Sequence, residues 1–174
     1  MKIEYEVKVL EIDVNLIKNK LNELNAIKLG DFFQKRYVYD FNPKKDNSWI
    51  RLRNNGKEST LTIKEINSNK IDGTNEIEIK VDDFEKTNLL LEKLGFKAKS
   101  YQENKRISYL LNNVEIDIDF WPLIPPYLEI EGRSIEDVKT ILNLLNLKNF
   151  TSINTKDVYK KYNIDIDKIK ELKF

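Results

Sequence analysis

Glu4-Tyr5-Glu6-Val7-Lys8-Val9 returns, 72 residues further on, as Glu76-Ile77-Glu78-Ile79-Lys80-Val81. The strict alternation of charged and apolar residues in both copies is the two-residue period of a β-strand. Each copy runs into an acidic helix N-cap and an amphipathic helix. The first helix starts at Asp13, with Leu16, Ile17, Leu21 and Leu24 on one face. The second starts at Asp82/Asp83, with Phe84, Leu90, Leu91 and Leu94. Gly30 and Gly95 lie near their ends and are read as terminators.

Three alternating segments then follow in each half. In the first half they are Gln34–Asp40, Ser48–Arg53 and Ser59–Ile66; in the second they are Tyr101–Leu111, Asn113–Phe120 and Tyr127–Gly132. Short turns such as Asn54-Asn55-Gly56 join many of them. The start of the motif appears a third time at Glu129-Ile130-Glu131-Gly132 and again leads into a helix, Ile135–Leu147. Two short helices, near Lys156–Tyr162 and Asp165–Leu172, finish the chain. The prediction is a single α+β domain over residues 1–174. Its repeat halves span approximately 1–72 and 73–132, with C-terminal helices in 133–174.

Parity assigns every strand one charged and one apolar face. Glu4, Glu6 and Lys8 oppose Ile3, Tyr5, Val7 and Val9; Arg51 and Arg53 oppose Ile50 and Leu52; Thr60, Thr62 and Lys64 oppose Leu61 and Ile63. Glu115, Asp117 and Asp119 oppose Val114, Ile116, Ile118 and Phe120, and Glu129 and Glu131 oppose Leu128 and Ile130. A flat sheet with helices on one side and charges in water on the other is the simplest arrangement of such strands. Two features favour another. The charged faces are short of Ser, Gln and Asn, and they segregate by sign, with acids on strands one, five, seven and eight and bases on strands three and four. Eight strands can close into an antiparallel barrel, which removes the sheet edges. With the helices outside, the charges line the lumen and need counter-charges. A metal–triphosphate complex supplies cations for the acids and a polyanion for the bases.

Composition narrows the chemistry. Charged residues make up 34% of the chain, above the roughly 25% of ordinary domains. The balance of 30 Lys and Arg against 29 Asp and Glu is not that of a general nucleic-acid binder. With neither cysteine nor histidine, a metal must sit on oxygen ligands, which favours Mg²⁺, Mn²⁺ or Ca²⁺. No apolar stretch approaches the roughly 20 residues of a membrane span, and the acidic start is unlike a signal peptide. A cytoplasmic protein without a membrane partner is expected. Outer apolar faces that no helix covers make a homodimer compatible with the pattern.

The ordered set Glu4-x-Glu6-x-Lys8, Trp49-Ile50-Arg51-Leu52-Arg53, Leu61-Thr62-Ile63-Lys64, Glu76-Ile77-Glu78, Arg106, and Asp119 with Tyr127-Leu128-Glu129-Ile130-Glu131 resembles the CYTH superfamily, or triphosphate tunnel metalloenzymes. That superfamily includes class IV adenylyl cyclases, thiamine triphosphatases and inorganic triphosphatases, and the resemblance covers roughly residues 1–165. It implies an eight-stranded tunnel in which Glu4, Glu6, Asp119, Glu129 and Glu131 hold one or two divalent ions, and it points to Mg²⁺ or Mn²⁺. Lys8, Arg51, Arg53, Lys64 and Arg106 would grip the phosphates, and Glu4, Glu6 and Lys8 would act in catalysis. Lys80 and Glu115 would be supporting charges. The family often carries Lys-x-Arg where this chain has Asn104-Lys105-Arg106. Lys105 has the opposite parity and joins the phosphate ligands only if a bulge turns it inward.

Tyr-Leu-Glu-Ile-Glu-Gly at 127–132 and the Leu-Gly-Phe after the second helix look closest to class IV cyclase-like members. That resemblance implies conversion of ATP to cyclic AMP and pyrophosphate, with a triphosphatase and a non-catalytic polyphosphate- or nucleotide-binding module as the other readings. The Trp121–Pro126 connection is either a rigid hairpin loop or the tunnel mouth over a nucleotide base. Tyr37, Tyr39, Tyr101 and Tyr109 read as outer-face packing.

Overall fold

A computed structural model describes residues 1–174. The elements run β1 (Lys2–Val9), α1 (Val14–Glu23), β2 (Ile27–Tyr39), β3 (Ser48–Asn54), β4 (Ser59–Ile66), β5 (Thr74–Val81), α2 (Phe84–Lys93), β6 (Ala98–Leu111), β7 (Val114–Phe120), β8 (Tyr127–Gly132), α3 (Ile135–Leu144), α4 (Thr155–Lys161) and β9 (Glu171–Leu172). The strand order is β2-β3-β4-β5-β1-β8-β7-β6, and pairing of β2 with β6 closes eight antiparallel strands into a barrel. Closure leaves a lumen into which the charged faces point, as parity requires.

The seam between the two copies of the motif is short. β1 pairs β5 only from Lys2 to Glu4, against Thr74–Glu76. Beyond that point the two strands part. The rest of β1 is held by β8, from Tyr5 to Val9, and its other edge is closed by backbone bonds from Glu6 to Ile71 and between Lys8 and Thr151.

Three apolar clusters pack on the outside of the barrel. The largest joins Ile17 and Leu21 of α1 and Val138, Ile141 and Leu142 of α3 to Val7, Val9, Ile116, Ile118, Leu128 and Ile130. Phe84 and Leu91 of α2 cover Tyr39, Ile50 and Leu52. Trp121, Ile124 and Tyr127 pack under Val158, Tyr159, Ile166 and Leu172 of the C-terminal segment. Gly132 permits the tight return from β8 into α3, since a Cβ there would stand 2.8 Å from the Asp137 Cβ.

Several local expectations are corrected. Gly30 does not end α1; it lies inside β2 at a register shift, and Asn25, at φ 56°, follows the helix instead. Gly95 does follow α2, at φ 92°. The buried stripes are narrower than expected, because Leu16, Leu90 and Leu94 point to solvent. The helix expected over Asp165–Leu172 is a single 3-10 turn, Ile166–Lys168, followed by β9. The edge of β6 at Tyr101 and Gln102, beyond the residues that pair with β7, is free to take β9 as a parallel strand, and that pairing wins over a second helical turn.

Candidate active site in the tunnel

The lumen is a cavity of about 680 Å³, and only 6 of its 35 lining residues are hydrophobic. One wall is acidic. Carboxylate oxygens of Glu4 and Glu6 on β1 and Glu131 on β8 lie within 4.8 Å of one another. At an effective dielectric near 20, two full charges at that separation repel by about 3.5 kcal/mol, so the cluster calls for cations. Lys64 supplies one, its Nζ donating to both oxygens of Glu4 at 2.9 and 2.7 Å and lying 3.2 Å from Glu76. Lys8 lies between Glu6 and Glu129, 3.1 Å from the latter.

Across the barrel from β8 in strand order, β3 is basic. Arg51 and Arg53 of β3 share Glu78, at 3.4 and 3.5 Å. Arg106 of β6 forks onto Asp119 at 2.7 and 2.6 Å and also binds Asp117 at 2.6 Å and Glu129 at 2.9 Å.

Burial and neighbours set the protonation of these groups. Burial pushes the Glu4 carboxyl up to about 8 against the pull of Lys64, with Glu6 and Glu76 adding to the rise. Burial likewise lifts Asp117 to about 7 against Arg106. Glu129 is buried too, yet Lys8 and Arg106 hold it well below the usual carboxylate range. Arg51, aided by burial, lowers Arg53 to about 10.

Of the five carboxylates expected to hold metal, Glu4, Glu6 and Glu131 converge; Asp119 and Glu129 are turned to Arg106 and Lys8. Lys8, Arg51, Arg53, Lys64 and Arg106 all reach the cavity. Lys105 does not. No bulge interrupts its pairing with Phe33 and Phe120, and its exposed ammonium lies on the outside, 4.4 Å from the centre of the Phe174 ring. Lys80 is also outside, against Glu58, whereas Glu115 lines the cavity. Tyr37 stacks on Phe84 and Tyr39 is buried beneath α2, where its hydroxyl donates to Asn88 at 2.6 Å. Trp121 is buried edge-on to Tyr159, whose hydroxyl binds the Pro122 carbonyl at 2.7 Å, so the Pro-rich connection is anchored to the C-terminal segment.

Two buried residues of the lumen escaped the sequence reading as site residues. Asp117 had the right parity beside Asp119. Arg36 shares a face of β2 with Gln34, opposite Tyr37 and Tyr39, and that alternation was the available signal.

The CYTH domain model matches residues 2–162. The chain belongs to the CYTH family. A Methanocaldococcus jannaschii protein named "Putative adenylate cyclase" is 26% identical over 172 residues, covering 94% of this chain and 98% of that one. The solved structure of a Pyrococcus horikoshii protein, 28% identical, covers 84% of this chain and 92% of its own, with a TM-score of 0.72. A Hippeastrum protein, whose structure is described with a dominant triphosphatase activity, shares the fold at 17% identity and a TM-score of 0.64, covering 97% of this chain and 100% of that chain. Use of a divalent metal comes with membership of this family of tunnel metalloenzymes.

Proposed function

We propose that this CYTH protein is a Mg²⁺- or Mn²⁺-dependent enzyme that binds a triphosphate in its tunnel and converts ATP to cyclic AMP and pyrophosphate. The observation that carries this reading is the opposed polarity of two walls: Glu4, Glu6 and Glu131 converge on β1 and β8, while Arg51 and Arg53 enter the same lumen from β3, across the barrel in strand order. The donor set fits a hard divalent cation, being all carboxylate oxygen. Such a cation, when bound, screens phosphate oxygens and polarises the phosphorus under attack.

The chain's own residues perform the rest. Arg51, Arg53 and Arg106 stabilise charge on the phosphates, and Lys8 and Lys64 orient the acidic wall while contributing positive charge beside it. In the cyclase reaction the ribose 3′-oxygen bonds to the α-phosphorus, the bond from that phosphorus to the bridging oxygen breaks, and pyrophosphate leaves. The proton of the 3′-hydroxyl passes to a carboxylate of the Glu4–Glu6 pair or to solvent.

Triphosphate hydrolysis is the second reading. It is favoured by the scarcity of apolar lining, which leaves little surface to hold a nucleobase, and by the activity attributed to the Hippeastrum protein. Product analysis separates the two. Purified protein is incubated with Mn²⁺ or Mg²⁺ and either ATP or inorganic triphosphate. Cyclic AMP and pyrophosphate from ATP, lost in Glu6→Ala, support the cyclase. Phosphate from triphosphate without cyclic AMP makes it a hydrolase, and tight binding without any product makes it a binding module.

A further inference from the structure

Seven buried or half-buried cations reach the lumen from the strands, and six have carboxylate partners: Lys8, Arg51, Arg53, Lys64, Lys99 and Arg106. Arg36 has none. Its side chain comes from β2, is 7% exposed and lines the cavity. Both of its hydrogen bonds use Nη2, which donates to the amide oxygens of Gln34, at 2.8 Å, and Asn104. Nη1 makes no hydrogen bond, and Nε is buried without a partner. The guanidinium carbon stands 4.6 Å from the centre of the Trp121 ring. Arg53 is its register neighbour on β3. Burial, then Arg51, Arg53 and Arg106, work against its charge, and only Asp119, itself paired with Arg106, works for it.

A guanidinium does not shed its proton to relieve such a position. An aromatic face and two amide oxygens orient it but neutralise nothing. Buried charges are ordinarily paired, because desolvating one alone is costly. The missing partner is an anion, and Nη1, which makes no hydrogen bond and is not sealed off like Nε, is the donor left to meet a phosphate oxygen.

We infer that Arg36, positioned by Gln34, Asn104 and Trp121, is a phosphate-binding residue that completes the basic wall by gripping a phosphoryl group of the bound polyphosphate. The assignment rests on the reading that the tunnel takes a triphosphate. It adds a contact from β2, a strand on which the sequence reading placed no ligand. Because the cation is unneutralised until an anion arrives, it destabilises the ligand-free protein and is released from that penalty on binding.

The test measures two quantities on wild type, Arg36→Gln, Arg36→Lys and Arg51→Gln: calorimetric affinity for inorganic tripolyphosphate, with and without Mg²⁺, and the melting temperature without ligand. Arg36→Gln is expected to weaken binding about 10- to 100-fold, the range for a charge-assisted hydrogen-bonded contact, while leaving the ligand-free melting temperature unchanged or raised. Arg36→Lys, which keeps the charge but not the planar set of donors, is expected to fall between and serves if Arg36→Gln does not fold. Asn104→Lys combined with Arg36→Gln returns an ammonium to the same spot from the facing strand and is expected to recover part of the affinity. Affinity within twofold of wild type in both Arg36 variants, while Arg51→Gln weakens binding, overturns the assignment. So does a marked fall in ligand-free melting temperature with affinity retained, the result of a purely structural clamp. If wild type binds tripolyphosphate but turns over neither substrate, the enzymatic reading fails and Arg36 keeps its role; if wild type does not bind it, both fall.

Discussion

Lys8 and Lys80 close two nearly identical stretches, Glu4–Val9 and Glu76–Val81, and meet opposite fates: the side chain of Lys8 is 2% exposed and that of Lys80 is 77% exposed. The cause lies in pairing. β1 and β5 touch only through their first three paired residues and then diverge. The diverging half of β1 gains β8 on one side and Thr151 on the other, and α3 covers its apolar face. The diverging half of β5 keeps β4 alone, and no helix covers Ile77 and Ile79, which are 47% and 55% exposed. Two copies of one motif thus become a buried acid–base centre and a half-open wall. Local sequence makes a strand; its neighbours decide whether its charges do chemistry.

The sharpest break between the copies is expected in turnover. Glu6→Ala, which removes a member of the carboxylate cluster, should lower kcat/KM by at least about 1,000-fold, of the order seen when a group stabilising charge in the transition state is lost. Glu78→Ala should cost no more than about tenfold, because Arg51 and Arg53 keep their places on β3 after losing a counter-charge. Steady-state kinetics on whichever triphosphate is turned over checks both.

Stability should separate the lysines next. Lys8→Ala leaves Glu6 and Glu129 in the lumen without their shared cation, at a cost of about 3–5 kcal/mol. Lys80→Ala removes a solvent-exposed pair with Glu58 and should leave the urea midpoint where it was. Equal losses in the two variants would mean that burial of the pair is not what distinguishes the copies.

The smallest effect concerns the first glutamate of each copy. Burial raises Glu4 from 4.5 to about 8. Glu76 is lowered: burial opposes the shift, and Lys64, a hydrogen bond with Glu4 and the charge of Arg51 together outweigh it. Between about pH 4.5 and 8 the folded state therefore holds a proton on Glu4 that the unfolded chain has released, and this group makes stability fall as pH rises through the window. Glu76 behaves oppositely: its contribution is complete above 4.5 and is lost on acidification. Melting of the metal-free protein across this range should show the decline, flattened in Glu4→Gln. In Glu76→Gln the acid limb should flatten instead.

Most of the architecture was legible in the residues. The alternation within each strand identified the eight barrel strands and the faces that turn inward, and it kept Lys105 outside while the family comparison argued for bringing it in. The C-terminal end was less legible. A few residues of helical pattern after Asp165 were overruled by an unpaired edge of β6 far away in sequence. Within the site, the charges of Glu4, Glu6 and Glu131 could be listed from parity, but not that they converge while Asp119 and Glu129 turn to Arg106 and Lys8. Arg36 had the correct parity and was overlooked because β2 otherwise offered aromatic and amide residues rather than a charged alternation.

What the sequence by itself determined is therefore the inventory: strands with one charged face, carboxylates and guanidiniums on different strands, and oxygen as the only metal donor. Those properties have a two-residue or one-helical-turn period, and a window of ten residues contains them. Only the tertiary structure decided which of these groups meet. Contacts across a barrel depend on closure between β2 and β6 and on the stagger of β1 against β5 and β8, relations between segments that no local period encodes.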